Sequence, residues 1–458
     1  MPQALPMREL VAKYRTSAPR YTSYPTALQL REMTEREYRA QLCDASRRAD
    51  DPWSLYVHVP FCERRCTFCA CAVVATPARS RVSTPYTNSV LAEAELVSSQ
   101  LGGRRGLAQL HLGGGTPTYL EPETLRALAR GVLSRFEARE DMEFSIEVDP
   151  RVTTDAHLDV LAELGVNRVS AGVQDLDPTV QSLIGRVQPR AMTQELVEGC
   201  RARGLGEINI DLVYGLPGQT TQTLLRTVES VIELAPDRLA LYGYAHVPWM
   251  RGNQKTIDAT RLPDSDARLE MFLAARDAFE DAGYVAIGLD HFAKPGDSLA
   301  RADRDGTLHR NFMGYTVQAG ADLLGLGVTS IGDVNGTLVQ NELKLSRYGQ
   351  AVRAGRLPVR RGFVRSSGDR LRERVISDLM CRHRVVKAEI EQAFGIDFDV
   401  DFRDELDELE PLQDDGLVQL SHDRVSVTPR GRPFVRNAAM VFDAYLGART
   451  RSRHSSTI

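Results

Sequence analysis

The chain has 458 residues, of which 42% are hydrophobic and 26% are charged, so it can bury a large core and is not a disordered protein. Its formal net charge of −4 excludes a bulk attraction for nucleic acid or for an acidic membrane surface. No run of about 18 apolar residues is present, and the first ten residues lack a hydrophobic signal core. We therefore expect a soluble, cytoplasmic protein with two or three domains, or one large α/β barrel with an appendage.

The first 50 residues precede every predicted strand and form a predicted N-terminal extension, 1–50. They contain the aromatic, proline-bearing segment PRYTSYPTA at 19–27. Taken alone, this segment is compatible with a loop or linker packed on the surface.

Six short apolar runs then recur along the chain, each followed by an amphipathic helical segment. The predicted strands are 54–59, 107–112, 142–148, 168–173, 207–215 and 237–245, and the predicted helices are 86–101, 122–136, 154–164, 191–203, 220–234 and 264–282. Strands that alternate with helices indicate βαβ units and a parallel sheet. Six repeats favour a partial (βα)6 barrel at 51–290, with an open sheet as the alternative. Barrel chemistry lies at the C-terminal ends of the strands, which here carry Glu147, Gln174, Asp211 and Ala245.

The pattern changes after residue 365. Helices are predicted at 371–382 and 386–394, followed by a two-stranded hairpin within 417–428. We predict a small, mostly helical, winged-helix-like domain at 365–458, joined to the barrel by a connecting segment, 291–364, that completes the active site. The acidic run LDELEPLQDD disfavours contact with DNA phosphates, which leaves a scaffold or lid role.

Four of the seven cysteines lie between Cys62 and Cys71. A disulfide framework would spread its cysteines over distant segments, so this cluster indicates metal ligands in a reducing compartment. The spacing of Cys62, Cys66 and Cys69 lets one loop hold three thiolates against an iron–sulfur cluster and leave one iron open. The alternative is a structural zinc site built from all four cysteines, but the second Cys-x2-Cys pair that such sites use does not occur.

The motif Cys-x3-Cys-x-aromatic-Cys after a first barrel strand resembles the radical S-adenosylmethionine (SAM) superfamily, with Phe68 as the aromatic. RYTSYPTA, YVHVPFC, HLGGGTPTYL, SIEVDP, GVQD, NIDLVYGLP, YAHVP, GLDHFA and NFMGYT follow in order, from about Arg20 to Leu446. Together they resemble the oxygen-independent coproporphyrinogen III oxidases. This resemblance implies anaerobic oxidative decarboxylation of two propionates of coproporphyrinogen III to vinyl groups by a 5′-deoxyadenosyl radical, giving protoporphyrinogen IX in haem biosynthesis.

The resemblance also implies cofactors and site residues. One [4Fe-4S] cluster would be held by Cys62, Cys66 and Cys69. The cluster-bound SAM would meet Tyr56, Gly114, Glu147 and Ile331, and a second SAM would meet Phe68, Gly115, Thr116, Gln174, Arg186, Asp211 and Ala245. Glu147 and Cys71 are the predicted catalytic residues, although Cys71 could donate a hydrogen atom or merely pack.

Further expectations concern partners and alternatives. We expect a flavodoxin-type electron donor, no nucleic-acid or membrane partner, and a monomer. The segment at 19–27 is expected to act as a substrate lid, in which Arg20 meets a propionate and the two tyrosines form an apolar wall. Met313 stands where some relatives carry Gln, so it is left out of the site. The alternatives are a haem chaperone of the same superfamily, another radical SAM enzyme, and a zinc-stabilised binding protein.

Overall fold

A computed structural model describes residues 5–318 and 322–446. The predicted extension 1–50, the connecting segment 291–364 and the C-terminal domain 365–458 therefore each include residues that lie outside the described part. The strands are β1 (Arg31–Glu32), β2 (Trp53–Val59), β3 (Phe61–Cys62), β4 (Val74–Ala75), β5 (Leu107–Gly114), β6 (Ala138–Val148), β7 (Arg168–Gln174), β8 (Glu207–Tyr214), β9 (Arg238–Gly243), β10 (Val285–Ile287), β11 (His291–Ala293), β12 (His309–Asn311), β13 (Gly314–Thr316), β14 (Leu323–Leu326), β15 (Ile331–Val334), β16 (Thr337–Asn341), β17 (Val359–Val364), β18 (Arg384–Val386), β19 (Val418–Leu420) and β20 (Arg424–Val427).

The helices connect these strands and cover the sheet. They are α1 (Met7–Tyr14), α2 (Glu35–Ser46), α3 (Arg79–Gln100), α4 (Pro122–Leu133), α5 (Asp155–Glu163), α6 (Pro178–Leu183), α7 (Arg190–Ala202), α8 (Thr221–Glu233), α9 (Ser265–Asp281), α10 (Ser298–Asp305), α11 (Leu345–Arg353), α12 (Ser367–Arg382), α13 (Lys387–Phe394), α14 (Phe398–Asp401), α15 (Arg403–Asp414) and α16 (Val435–Val441). In the described part of the chain, no helix combines the length and apolar character needed to cross a membrane.

The six predicted barrel strands form one parallel array in the order β2-β5-β6-β7-β8-β9. Both faces of β2 are largely buried, as expected for a parallel strand covered by helices on one side and facing the barrel interior on the other. Five of the six predicted helices start within one residue of their predicted positions, whereas α3 begins at Arg79, seven residues before its predicted start at 86. Helix α8, for example, begins where Thr220 accepts a hydrogen bond from the Thr223 amide in a capping box. The partial α/β barrel is thus confirmed.

The sheet continues beyond the barrel on both sides, which the sequence did not predict. Strand β14 pairs in parallel with β2, and β15, β16, β17 and β1 extend that edge in antiparallel fashion. Strands β11 and β10 extend the other edge. These strands have two to six residues, which is too short for hydrophobic alternation to identify them.

The C-terminal helices α12–α16 form a second core with the N-terminal segment. The predicted hairpin is present as β19 and β20, and β18 adds a third strand that the sequence analysis missed. Tyr21 and Tyr24 are 6% and 2% exposed and belong to this core, together with residues of α12 and α16. The N-terminal segment is therefore packed between the barrel and the C-terminal helices.

Candidate active site

A cavity of about 500 Å³ opens at the C-terminal ends of the parallel strands. Because these ends meet at one rim of a barrel, residues from six separate loops converge there. The predicted site residues that line this cavity are Cys62, Cys66, Phe68, Cys69, Cys71, Gly114, Gly115, Thr116, Glu147, Gln174, Arg186, Asp211 and Ala245. Tyr56 and Ile331 line a second chamber of about 570 Å³, which shares Glu147 with the first. Met313 also lies in this second chamber.

The cysteine loop is held from below by the segment after β9. The Asn253 side-chain amide donates to the carbonyls of Cys66, Thr67 and Cys69 at 3.2, 3.0 and 2.9 Å. The Gln254 side chain donates to the Phe68 carbonyl at 2.8 Å. These contacts hold the loop by its backbone, and Cys62, Cys66 and Cys69 of the loop line the cavity.

The donor set fits an iron–sulfur cluster. Three thiols from one loop line the cavity. Burial raises the pKa of the Cys62 thiol to about 11, so this thiol keeps its proton until a metal binds and displaces it. Two guanidinium groups, of Arg151 and Arg186, lie 3.7 and 3.8 Å from the Cys66 sulfur and supply positive charge beside a thiolate. Among residues 5–318 and 322–446, no three His, Cys, Asp or Glu side chains converge as ligands of a single metal ion would.

Glu147 is held as an ionised carboxylate at the junction of the two chambers. Its Oε2 accepts a hydrogen bond from the Gly114 amide at 2.9 Å, and its Oε1 lies 3.4 Å from Nε2 of His111. Burial alone would raise the pKa of Glu147, but His111 and the Gly114 amide outweigh burial and lower that pKa below its usual value. The side chain remains 41% exposed to the cavity, so it can accept further hydrogen bonds from a ligand.

The glycine loop is required for contacts within the protein. Gly114 has φ +116°, and a Cβ placed there would lie 2.4 Å from the His58 ring. A Cβ on Gly115 would lie 2.7 Å from the Phe61 carbonyl. The family resemblance assigns both glycines to contacts with SAM. In the structure, their missing side chains let the loop after β5 pack against the loop after β2.

Arg186 lies between α6 and α7 and is 6% exposed, so it is a buried side chain of the site. Its Nη1 donates to Asp149 at 2.9 Å, and its Nη2 donates to the Gly172 carbonyl. Within the described residues its buried Nε has no hydrogen-bond partner, which leaves a donor for an acceptor group of a ligand. This orphaned donor fits the expectation that SAM occupies the cavity.

Two further predicted residues differ in how they are held. Gln174 ends β7 in a left-handed conformation (φ +72°), a strained geometry for a residue with a side chain. Asp211 accepts hydrogen bonds from Asn209 at 2.8 Å and from Ser170 at 3.1 Å. Burial raises the pKa of Asp211 to about 6.

Asp149 is a site residue that sequence reasoning missed. It follows β6 directly, is 6% exposed, and bridges Arg186 and Arg151 at 2.9 and 2.7 Å. Burial would raise the pKa of Asp149, but Arg186 and then Arg151 lower it below its usual value. Its position two residues after Glu147, at a strand end, was the available signal.

The expected tyrosine wall is not present. Tyr21 and Tyr24 point into the C-terminal core, where the Tyr21 hydroxyl donates to Asp443 at 3.0 Å. Apolar rings gain more from burial between two domains than from facing a polar cavity, which explains this orientation. Arg20 alone of the segment reaches the cavity, and it also pairs with Asp290 at 3.0 Å.

Comparison with known proteins identifies the family. The "Radical SAM superfamily" profile matches residues 56–231, and the "HemN C-terminal domain" profile matches residues 366–434. An oxygen-independent coproporphyrinogen III oxidase from Pseudomonas aeruginosa is 42% identical over 452 residues, covering 98% of both chains. The chain belongs to the oxygen-independent coproporphyrinogen III oxidase family. The Escherichia coli member is 40% identical over 453 residues, covering 98% of this chain and 97% of that protein.

The fold agrees with this family over nearly its whole length. The solved structure of Escherichia coli coproporphyrinogen III oxidase (HemN), described as a radical SAM enzyme, matches with a TM-score of 0.90 at 38% identity. The match covers 97% of this chain and 100% of that chain. As a radical SAM member of the oxidase family, the protein uses a [4Fe-4S] cluster and SAM. The number of SAM molecules and the assignment of each site residue stay predictions.

Proposed function

We propose that the protein catalyses the anaerobic oxidative decarboxylation of two propionate side chains of coproporphyrinogen III to vinyl groups, giving protoporphyrinogen IX. The observation that carries this proposal is the 42% identity to a named oxidase over 98% of the chain, with the cysteine-rimmed cavity at the barrel end. In each conversion, the propionate loses one hydrogen atom from its β-carbon, releases CO₂ and passes one electron to an acceptor. The remaining electrons form the double bond.

The cofactors would be held by residues of the cysteine-rimmed cavity. Cys62, Cys66 and Cys69 supply thiolates for the cluster, and Glu147 accepts hydrogen bonds from the SAM beside it. When bound, the cluster and SAM together supply a carbon radical that removes a hydrogen atom from the substrate. We propose that the Gly114 amide and His111 orient the Glu147 carboxylate for this task.

The protein itself needs no acid or base for the hydrogen abstraction, so its contribution is positioning and shelter from water. Coproporphyrinogen III carries four carboxylates, and the cavity lining includes the cations Arg20, Arg64, Arg65, Arg151 and Arg186. Planar guanidinium groups bind carboxylates through paired hydrogen bonds. We propose that part of this set receives the propionate that reacts.

The haem-chaperone alternative is not favoured by the observations. The relatives described above are named oxidases, not haem chaperones. A flavodoxin-type electron donor, a monomeric state, the lid role of the N-terminal segment and the boundaries at 50, 290 and 364 stay predictions.

The test is an anaerobic assay of the reconstituted protein with SAM, a one-electron reductant and coproporphyrinogen III. We expect two CO₂ and two vinyl groups per porphyrinogen, with SAM consumed for each vinyl group. An inactive cluster-free sample of the same protein is the control. SAM cleavage without any change in the porphyrinogen would refute the proposed substrate, and tight haem binding without either reaction would support the chaperone.

A further inference from the structure

A smaller cavity of about 80 Å³ lies beside the active-site cavity, near the ends of β8 and β9. It is bounded by α9, by the β10–β11 hairpin, and by the segment that leads into α16. The two cavities share Arg20 and Gly243. The two cavities are therefore immediate neighbours at the barrel end.

The lining of the smaller cavity is strongly cationic. It includes five arginines and one carboxylate, namely Arg20, Arg268, Arg276, Arg432, Arg436 and Asp290. Asp290 is already engaged by His291 at 2.8 Å and by Arg20 at 3.0 Å. Arg276 pairs at 3.0 Å with Glu280, which does not line the cavity. The remaining positive charge exceeds what the single lining carboxylate can balance.

Two titration shifts agree with this excess of positive charge. Burial would raise the pKa of Asp290, yet His291, Arg310 and Arg20 hold it far below its usual value. Burial, followed by repulsion from Arg20 and Arg310, lowers the pKa of Arg436 to about 9. An anion bound in the cavity would offset the repulsion that Arg436 experiences from Arg20 and Arg310.

Arg268 is the side chain best placed to meet such an anion. Its guanidinium lies 5.8 Å from the centre of the Tyr214 ring, and its buried Nε has no hydrogen-bond partner within the described residues. A Cβ on Gly215 or Gly243 would approach this guanidinium to 3.3 Å. The two glycines therefore leave the space in which Arg268 lies across the strand ends.

We propose that this arginine-lined cavity binds a carboxylate of the porphyrinogen that does not react in that turnover. The proposal rests on the proposed function and adds a second anchoring point to it. At about 80 Å³, the cavity is much smaller than the active-site cavity of about 500 Å³, so it suits one carboxylate side chain better than the whole macrocycle. Arg20, at the boundary of the two cavities, separates the anchored side chain from the reacting one.

The test uses Arg268→Gln in the full-length, cluster-loaded protein. The probes are coproporphyrin III, a stable oxidised relative of the substrate, and its tetramethyl ester, which lacks the negative charges. We expect Arg268→Gln to weaken the binding of coproporphyrin III about 10- to 100-fold, as for loss of a charge-assisted hydrogen bond. The ester should be affected far less, and Arg268→Lys should recover part of the affinity.

A matched control is Arg304→Gln, because Arg304 is 67% exposed on α10 and pairs with Asp305. If Arg268→Gln weakens the binding of coproporphyrin III and of its ester equally, or weakens neither, the carboxylate site is refuted. Arg432→Gln, on the exposed rim, replaces Arg268→Gln if the latter fails to fold, with a smaller expected loss. If wild type forms vinyl product and Arg268→Gln binds coproporphyrin III as tightly as wild type does, only the carboxylate site is refuted. If wild type forms no vinyl product, the proposed function is refuted.

Discussion

Replacement of Asp149 by Asn removes the negative charge between two arginines at the cluster end of the cavity. The Asp149 carboxylate is 9% exposed and lies 2.9 Å from Nη1 of Arg186, whose side chain is 7% exposed. Removal of one partner of a buried ion pair costs about 3–5 kcal/mol, because the other charge stays buried. We expect about 3 kcal/mol, near the low end of that range, since Arg151 is 21% exposed and asparagine keeps an oxygen for the Arg151 amide.

The assay is urea unfolding of the anaerobically prepared protein at neutral pH. Asp141→Asn is the matched control, because Asp141 lies on β6, the strand that Asp149 directly follows, and pairs with Arg139 at 2.8 Å, with side chains 70% and 44% exposed. Loss of such an exposed pair costs about 0–1 kcal/mol. If Asp149→Asn costs no more than the control, the ionic bridge does not hold this part of the site together and the reasoning is wrong.

The same bridge predicts a pH dependence. The Asp149 pKa is lowered in the folded protein, since Arg186 and Arg151 outweigh burial. A carboxylate with a folded-state pKa below its unfolded value of about 3.9 stabilises the fold above that value, and this contribution is lost as pH falls through the folded pKa. The difference in unfolding free energy between wild type and Asp149→Asn should therefore shrink in acid. A constant difference down to low pH would contradict the ionic origin.

Three further predictions address the predicted cluster ligand Cys62, the carboxylate of Glu147 and the buried acid Glu93 on α3. Cys62→Ser should abolish the brown absorbance near ~400 nm together with activity, as expected for a thiolate ligand of iron; a variant that keeps its iron and sulfide would contradict ligation. Glu147→Ala should keep the cluster spectrum and lose SAM cleavage, and near-normal release of deoxyadenosine would show that the carboxylate is dispensable. Burial raises the pKa of Glu93 to about 7, so its contribution to stability should fall as pH rises from about 4.3 to about 7. Glu93→Gln should reduce the fall in unfolding free energy between pH 5 and pH 8. If the variant shows the same fall as wild type, other groups cause the pH dependence.

The sequence by itself determined the barrel and predicted the cluster ligands, because both depend on short-range patterns. Strands such as β2 and β8 are short runs rich in apolar residues, with polar residues at intervals, and the helix after each has its own 3.6-residue periodicity. Cys62, Cys66 and Cys69 lie within one loop, so their spacing alone indicates a shared cluster. Glu147 was predicted as a site residue because parallel strands end at a common rim.

Only the tertiary structure decided which distant residues share a contact. Asp149 and Arg186 are 37 residues apart, and the Arg436 side chain donates to the Pro19 carbonyl across 417 residues. No local periodicity encodes such pairs, because they arise when separately formed elements pack. The inward turn of Tyr21 and Tyr24 and the arginine-lined cavity beside α9 have the same origin, since each depends on how the C-terminal helices close against the barrel.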